Sequence, residues 1–253
     1  MATVVLVPAR LKSTRLPNKP LADINGKALI EIVYDQATKT GFPAYCAVDN
    51  EKVKQVVEKA GGKAILTDTN LPTGSDRIYA ASKENDPDGS NFDVIINFQG
   101  DNSNVNPKIL NDLVDLLKRS NADITTIDVP MAKENYENDA AVKIAAGFKP
   151  GETEAKALYF SRNRIPYDRD TEPLQLYHHI GIHVYTRKSL EKFVSSPEGE
   201  LEKREKLEQL RALELGMSIW VKLVDTVKII PEAPADVNTP EELEITRKYI
   251  TNY

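Results

Sequence analysis

A single cysteine, Cys46, is all the thiol chemistry in the 253 residues, so no intramolecular disulfide can staple the chain. Its place in the apolar stretch 44–48 reads as core filling, and one unpaired thiol fits a reducing, cytoplasmic setting. No apolar run reaches the length of a membrane span, and the one beside the N-terminus, 4–7, lacks the basic flank of a secretory signal. A surplus of positive charge is also missing. There are 33 Lys and Arg against 38 Asp and Glu, a net charge of -5, which leaves no broad basic face for nucleic acid. With only three histidines, His178, His179 and His183, a zinc site lacks its third and fourth ligands. Internal repeats and low-complexity tracts are absent, as is the glycine-rich Walker loop that cradles phosphate with backbone amides.

What is present starts at residue 4. Val4, Val5, Leu6 and Val7 form a β-branched block that reads as a strand buried on both faces of a parallel sheet. It empties into a loop carrying Arg10, Lys12, Arg15 and Lys19 before the first carboxylate, Asp23. Pro8, Pro17 and Pro20 keep that loop out of helix. Four cations gathered in a stiff segment of an acidic protein repel one another, and a polyanion would relieve the repulsion. In an open α/β sheet, ligands bind beyond the carboxyl ends of the strands, where a phosphate chain would meet these side chains.

Strand and helix then alternate. Helices are expected at 28–40, 51–59 and from Thr73, and strands at 44–48, 64–66 and 93–98, the pattern of right-handed parallel crossovers. Further on come a helix at 108–117, a strand at 124–129 and a hairpin formed by 141–145 and 157–160. In a strand, His179, Gly181, His183 and Tyr185 share one face, with the glycine leaving room for a ligand. A charged helix is expected at 202–215, closing strands at 218–224 and 226–230, and a last helix from Thr239, whose capping Thr, Pro240 and following acids form a strong start signal. A composition of 41% hydrophobic and 28% charged residues suits one large domain spanning 1–253. At the end of strand 93–98, Gln99-Gly100-Asp101 offers a close backbone turn and a hard oxygen, the geometry of a Mg²⁺ site.

Several of these segments together resemble one family. Pro8-Ala9-Arg10, Ser13-Thr14-Arg15-Leu16-Pro17 and Lys19-Pro20-Leu21 resemble the signature of sugar nucleotidyltransferases, and within them the CMP-Kdo synthetases, or 3-deoxy-manno-octulosonate cytidylyltransferases. The resemblance continues through Tyr159-Phe160-Ser161-Arg162, Ile165-Pro166-Tyr167-Asp168-Arg169 and Leu207-Glu208-Gln209-Leu210-Arg211. It implies a Rossmann-like, mostly parallel α/β fold with a small hairpin-containing dimerisation portion near 131–190. It also implies a cytoplasmic homodimer that transfers CMP from CTP to Kdo for lipopolysaccharide biosynthesis. Pro8, Ala9, Arg10, Ser13, Arg15, Lys19, Ser75 and Gln99 would then hold the nucleotide, with Arg10, Arg15, Lys19 and Asp101 taking part in catalysis. Arg77, Arg162, His179, His183, Glu208 and Gln209 would meet the sugar acid, although Arg162 and Arg164 could equally form surface ion pairs, Arg164 with Asp168 or Asp170.

Three departures stand out. Asn102 and Ser103 replace the acid and proline that follow the family's aspartate, His183 replaces a tyrosine, and Asn238 replaces a second metal carboxylate. Asp236, two residues earlier, is the alternative Mg²⁺ ligand. A related acceptor, such as an 8-amino analogue or a nonulosonic acid, and a protein that binds nucleotide without turnover are the competing readings.

Overall fold

Every residue of Thr3–Ala9 is buried, as a strand flanked on both edges and covered on both faces must be. Burial of each large aliphatic side chain in it is worth about 1.5–3 kcal/mol. The structure is a computed structural model and describes residues 1–169 and 174–251. In chain order its elements are β1 (Thr3–Ala9), β2 (Asp23–Ile24), β3 (Lys27–Ala28), α1 (Leu29–Thr38), β4 (Ala44–Val48), α2 (Glu51–Lys59), β5 (Ala64–Leu66), α3 (Gly74–Asn85), β6 (Val94–Asn97) and α4 (Lys108–Ser120). They continue with β7 (Ile124–Pro130), β8 (Lys143–Ala146), β9 (Glu154–Ser161), β10 (Tyr177–Thr186), α5 (Arg187–Val194), α6 (Glu200–Glu205), α7 (Gln209–Glu214), β11 (Ile219–Leu223) and α8 (Pro240–Tyr249). Among the described residues no helix is long and apolar enough to cross a membrane.

The chain divides into two compact units, Met1–Asn111 with Val227–Tyr253, and Asp112–Thr226. In the first, four strands lie in the order β5-β4-β1-β6 with every pairing among them parallel, and β2 and β3 form a separate antiparallel pair. The chain leaves β1 for β4 on one side and later returns to β6 on the other, so β1 and β6 flank a topological switch point. Helix ends follow the local chemistry. Asn50 caps α2 through its side chain, Thr73 caps α3 and Thr239 caps α8. After α1 the amide of Gly41 bonds to Thr38, with φ +81° at the glycine.

The second unit departs from a mostly parallel plan. Its strands run β10-β7-β11-β9-β8, and β8 pairs back onto β10 at Tyr177 and His178, closing a ring. Among the described residues only β11–β7 is parallel there. The expected hairpin is β8–β9. In β10 the register against β7 shifts between Ile180 and His183. Gly181 therefore lies exposed in the irregularity, with open space where a Cβ would stand.

Two other expectations are corrected. The helix at 202–215 is two short helices, because Lys206 adopts a left-handed conformation (φ 54°) and closes α6 with its amide on the Glu202 carbonyl. The segment 226–230 is no strand beyond one isolated bridge, Val105 to Lys228. Its backbone at Ile229 and Ile230 is held instead by the side chain of Asn104.

Candidate functional site

The first unit's site begins where β1 and β6 end. Gly100 follows β6, and its amide bonds the Pro8 carbonyl at 3.2 Å. A Cβ at Gly100 would stand 2.7 Å from that oxygen and 3.1 Å from the Ala9 Cβ, so only glycine permits this approach. Gln99 and Pro8 crowd Gly74, whose added Cβ would lie 3.4 and 3.5 Å from them. Pro8, Ala9, Gln99 and Ser75, the last buried in the first turn of α3, thus gather at the strand ends. The cationic loop leaves from the same place, tied down where the Leu11 amide meets Asp49 Oδ1 at 2.8 Å. Arg10 and Arg15 are exposed and Ser13 is half-buried.

Lys19 ends the loop and brings the acidic side of the site together. Its Nζ donates to Asp101 Oδ2 at 2.5 Å and to Asn238 Oδ1 at 2.8 Å. Arg15 Nη2 adds a donor to the same Asn238 oxygen at 3.2 Å. The Asn238 amide nitrogen donates to Asp236 Oδ2, and its backbone N–H meets Glu242 Oε2 at 2.6 Å within the capping box of α8. Burial, with Asp101 and Glu242 nearby, pushes the Asp236 carboxyl up to about 6. Asp101 and Asn238, far apart in sequence, therefore present two oxygens to one small cation.

Asn104 holds this arrangement in place. Its Nδ2 donates to the carbonyls of Ile230 and Ala233, and its Oδ1 accepts from the amides of Ile229 and Ile230. The Asn104 amide bonds Ala235 O and the Val237 amide bonds Asp101 O. The segment expected as a strand is thus clamped by one buried asparagine, which fixes Asp236 and Asn238 beside Asp101. Nothing in the sequence singled Asn104 out; the only trace was the run of short polar residues from Asn102.

Arg77 was expected at the ligand, but its guanidinium is buried and committed to the protein. It donates to Thr67 Oγ1 at 2.6 Å and to the Asp68 carbonyl at 3.2 Å, and lies 4.0 Å from Asp49. Burial lowers its pKa, with Arg10 adding to the effect. Arg77 therefore buttresses the base of the cationic loop through Asp49.

In the second unit, His179 and Gln209 are buried together and His183 lies beside them, its ring 5.2 Å from that of His179. Thr126 Oγ1 donates to the Ile182 carbonyl at 2.7 Å and is 2.9 Å from His179 Nε2, so Nε2 carries the proton. His179 Nδ1 then accepts from Gln209 Nε2 at 3.4 Å. Both imidazole nitrogens are engaged inside the protein, the second by Gln209, which is also among the residues expected at the sugar. Burial holds His179 well below the usual histidine range and puts His183 at about 4, so both rings are neutral at pH 7. Glu208 is half-buried at the start of α7.

Arg162 also meets protein rather than open space. Its Nε donates to the Glu205 carbonyl at 2.7 Å and its Nη1 to that of Asp139 at 3.0 Å. Arg164 pairs with Asp168 at 2.7 Å; Asp170 lies outside the described residues. Sequence reasoning missed Asp128. It is wholly buried on β7 opposite His179, neither carboxyl oxygen has a hydrogen-bond partner among the described residues, and burial raises its pKa to about 7. Its signal was an acid in an otherwise uncharged strand, Ile124–Pro130.

A model of the family described as cytidylyltransferase matches residues 4–219. The chain is 42% identical over 249 residues to the 3-deoxy-manno-octulosonate cytidylyltransferase of Paramagnetospirillum magneticum, covering 98% of this chain and 97% of that one. It is 44% identical over 246 residues to the protein of the same name from Parvibaculum lavamentivorans, covering 96% and 91%. Among solved structures, one described as CMP:2-keto-3-deoxy-manno-octonic acid synthetase complexed with CTP matches with a TM-score of 0.87 at 32% identity, over 98% of both chains.

Proposed function

The chain belongs to the cytidylyltransferase family, among the 3-deoxy-manno-octulosonate cytidylyltransferases, and we propose that it transfers CMP from CTP to Kdo, giving CMP-Kdo and pyrophosphate. The anomeric hydroxyl oxygen of the sugar acid bonds to the α-phosphorus of CTP. The bond from that phosphorus to the bridging oxygen of the β-phosphate breaks, pyrophosphate leaves with the electron pair, and the hydroxyl proton passes to solvent. The observation that carries the reading is the convergence of Lys19 and Arg15 on Asp101 and Asn238 at the ends of β1 and β6.

Such a displacement depends on alignment and charge neutralisation more than on covalent help from the protein. Arg10, Arg15 and Lys19 hold the triphosphate and offset charge on the departing pyrophosphate. Pro8, Ala9, Ser13, Ser75 and Gln99 hold the nucleoside end. His183, Glu208 and Gln209 contact the acceptor, with His179 orienting Gln209. Asp101 and Asn238 suit Mg²⁺, because their oxygens already share one cationic partner and Mg²⁺ takes few protein ligands beside phosphate and water. When bound, the ion would screen the triphosphate and lower the pKa of the attacking hydroxyl.

The same reading places the protein in the cytoplasm, in lipopolysaccharide biosynthesis, as a homodimer. Support for the dimer comes from Leu158, Tyr167 and Leu174, whose exposures of 63%, 87% and 66% are high for large apolar side chains. Pyrophosphate release from CTP tests the activity. Release is expected only with both Kdo and a divalent cation and is abolished by chelator. CTP binding without release under any divalent cation would mean a site that binds and does not react.

A further inference from the structure

The amide of Asn238 has two ends of nearly the same shape and opposite polarity, and its neighbours admit one orientation. Lys19 Nζ and Arg15 Nη2 are donors only, so they require the carbonyl oxygen. Opposite them, the carboxylate oxygen of Asp236 is an acceptor and takes the amide N–H. Turning the amide over would set its NH₂ against two cations and its oxygen against a carboxylate. Asp236 is itself fixed from both sides, by Asn104 N–H on the Ala235 carbonyl and by Val237 N–H on the Asp101 carbonyl, at 3.1 Å each.

We propose that Asp236 is a positioning residue for nucleotide binding: it locks Asn238 with the carbonyl oxygen toward Lys19 and Arg15, and its negative charge polarises that oxygen through the amide. The carboxylate acts from two residues away and never touches the ligand. Outer partners that orient a binding group in this way are worth roughly 10–100-fold in affinity. The proposal rests on the reading of Lys19, Asp101 and Asn238 as the triphosphate and metal end of the CTP site.

It follows that the carboxylate and the amide can be exchanged but not duplicated. In Asp236→Asn/Asn238→Asp, the new amide at 236 donates to the new carboxylate at 238, which faces the same two cations. In Asn238→Asp alone, two carboxylates are pressed together where one hydrogen bond had been.

Calorimetric CTP affinity, with and without Mg²⁺, tests this in the full-length protein, with thermal unfolding run alongside. Asp236→Ala is expected to weaken CTP about tenfold or more. Asp236→Asn, whose amide oxygen can still accept from Asn238, should recover part of the loss. Asn238→Asp should also bind weakly, and the exchanged double variant should return to within about threefold of wild type. An unchanged affinity in Asp236→Ala, or a double variant no better than Asn238→Asp, overturns the proposal. If Asp236→Ala does not fold, the comparison of Asn238→Asp with the double variant decides alone. Failure of wild type to bind CTP at all would sink the cytidylyltransferase reading instead, a result distinct from binding that ignores Asp236.

Discussion

Thr126 fixes the tautomer of His179: the hydroxyl gives its proton to the Ile182 carbonyl and so accepts from His179 Nε2, 2.9 Å away. That leaves Nδ1 as an acceptor for Gln209, and a buried imidazole ends up orienting a side chain proposed to hold the acceptor. Thr126→Val keeps the shape and removes both bonds. A loss of about 1–3 kcal/mol in unfolding free energy is expected, together with a change in the nitrogen chemical shifts of His179. Unchanged shifts would show that some other group sets the tautomer.

Lys19 joins Asp101 and Asn238 by one ammonium. Lys19→Met retains most of the stem and removes the charge. We expect kcat/KM for CTP to fall about 100-fold or more, the usual scale for losing one preorganised charge at a reacting phosphoryl group. A loss confined to a few-fold would assign the triphosphate mainly to Arg10 and Arg15.

Asn104 makes four side-chain hydrogen bonds to the backbone of 229–233. Asn104→Ala strands those groups and frees the segment that carries Asp236 and Asn238. Stability should drop by about 2 kcal/mol and the KM for CTP should rise about tenfold. A stability loss with an unchanged KM would make Asn104 a scaffold residue alone.

Asp128 and His183 bias stability in opposite directions over one pH range. Native Asp128, at about 7 against an ordinary 3.8, keeps a proton that the unfolded chain has released. Its contribution is complete below about pH 4 and is lost as pH rises to 7, by about 1.4 kcal/mol per unit. Native His183, at about 4 against 6.5, refuses a proton that the unfolded chain takes up. Its contribution is complete above pH 6.5 and is lost as pH falls to 4. Relative to wild type, Asp128→Asn should therefore shift the slope of urea midpoint against pH upward between pH 4 and 6.5, and His183→Gln should shift it downward. Curves parallel to wild type would show that neither group titrates as its burial dictates.

Leu158 and Tyr167 test the proposed homodimer. Exchanging both for glutamate should convert dimer to monomer in sedimentation while leaving CTP affinity intact, and a variant that stays dimeric would place the contact elsewhere.

Much of the first unit was legible because its signals are local. The apolar block of β1, the proline-stiffened cationic loop and the capping residues of α3 and α8 each state their conformation within a few positions. The second unit was harder, because ring closure through β8 and β10 is a long-range pairing and the β10 irregularity leaves no mark in alternation. Arg77 and Arg162 look like ligand residues in sequence, and nothing there shows the carbonyls and hydroxyls that take up several of their donors. Asn104 and Asp128 looked ordinary, because their importance lies in how deeply the fold buries them.

The spacing of the site along the chain orders its assembly during synthesis. Asp101 follows Lys19 by 82 residues and Asn238 follows it by 219. A nascent chain thus completes the parallel strands and the cationic loop long before the oxygen donors of 236–238 emerge. Chains fold from the N-terminus as they are made, so growing chains offer phosphate an incomplete binding surface and acquire the full set only once residues 236–238 have emerged. Loss of the last few dozen residues would leave most of the first unit's strands in place and empty the site of two of its polar groups.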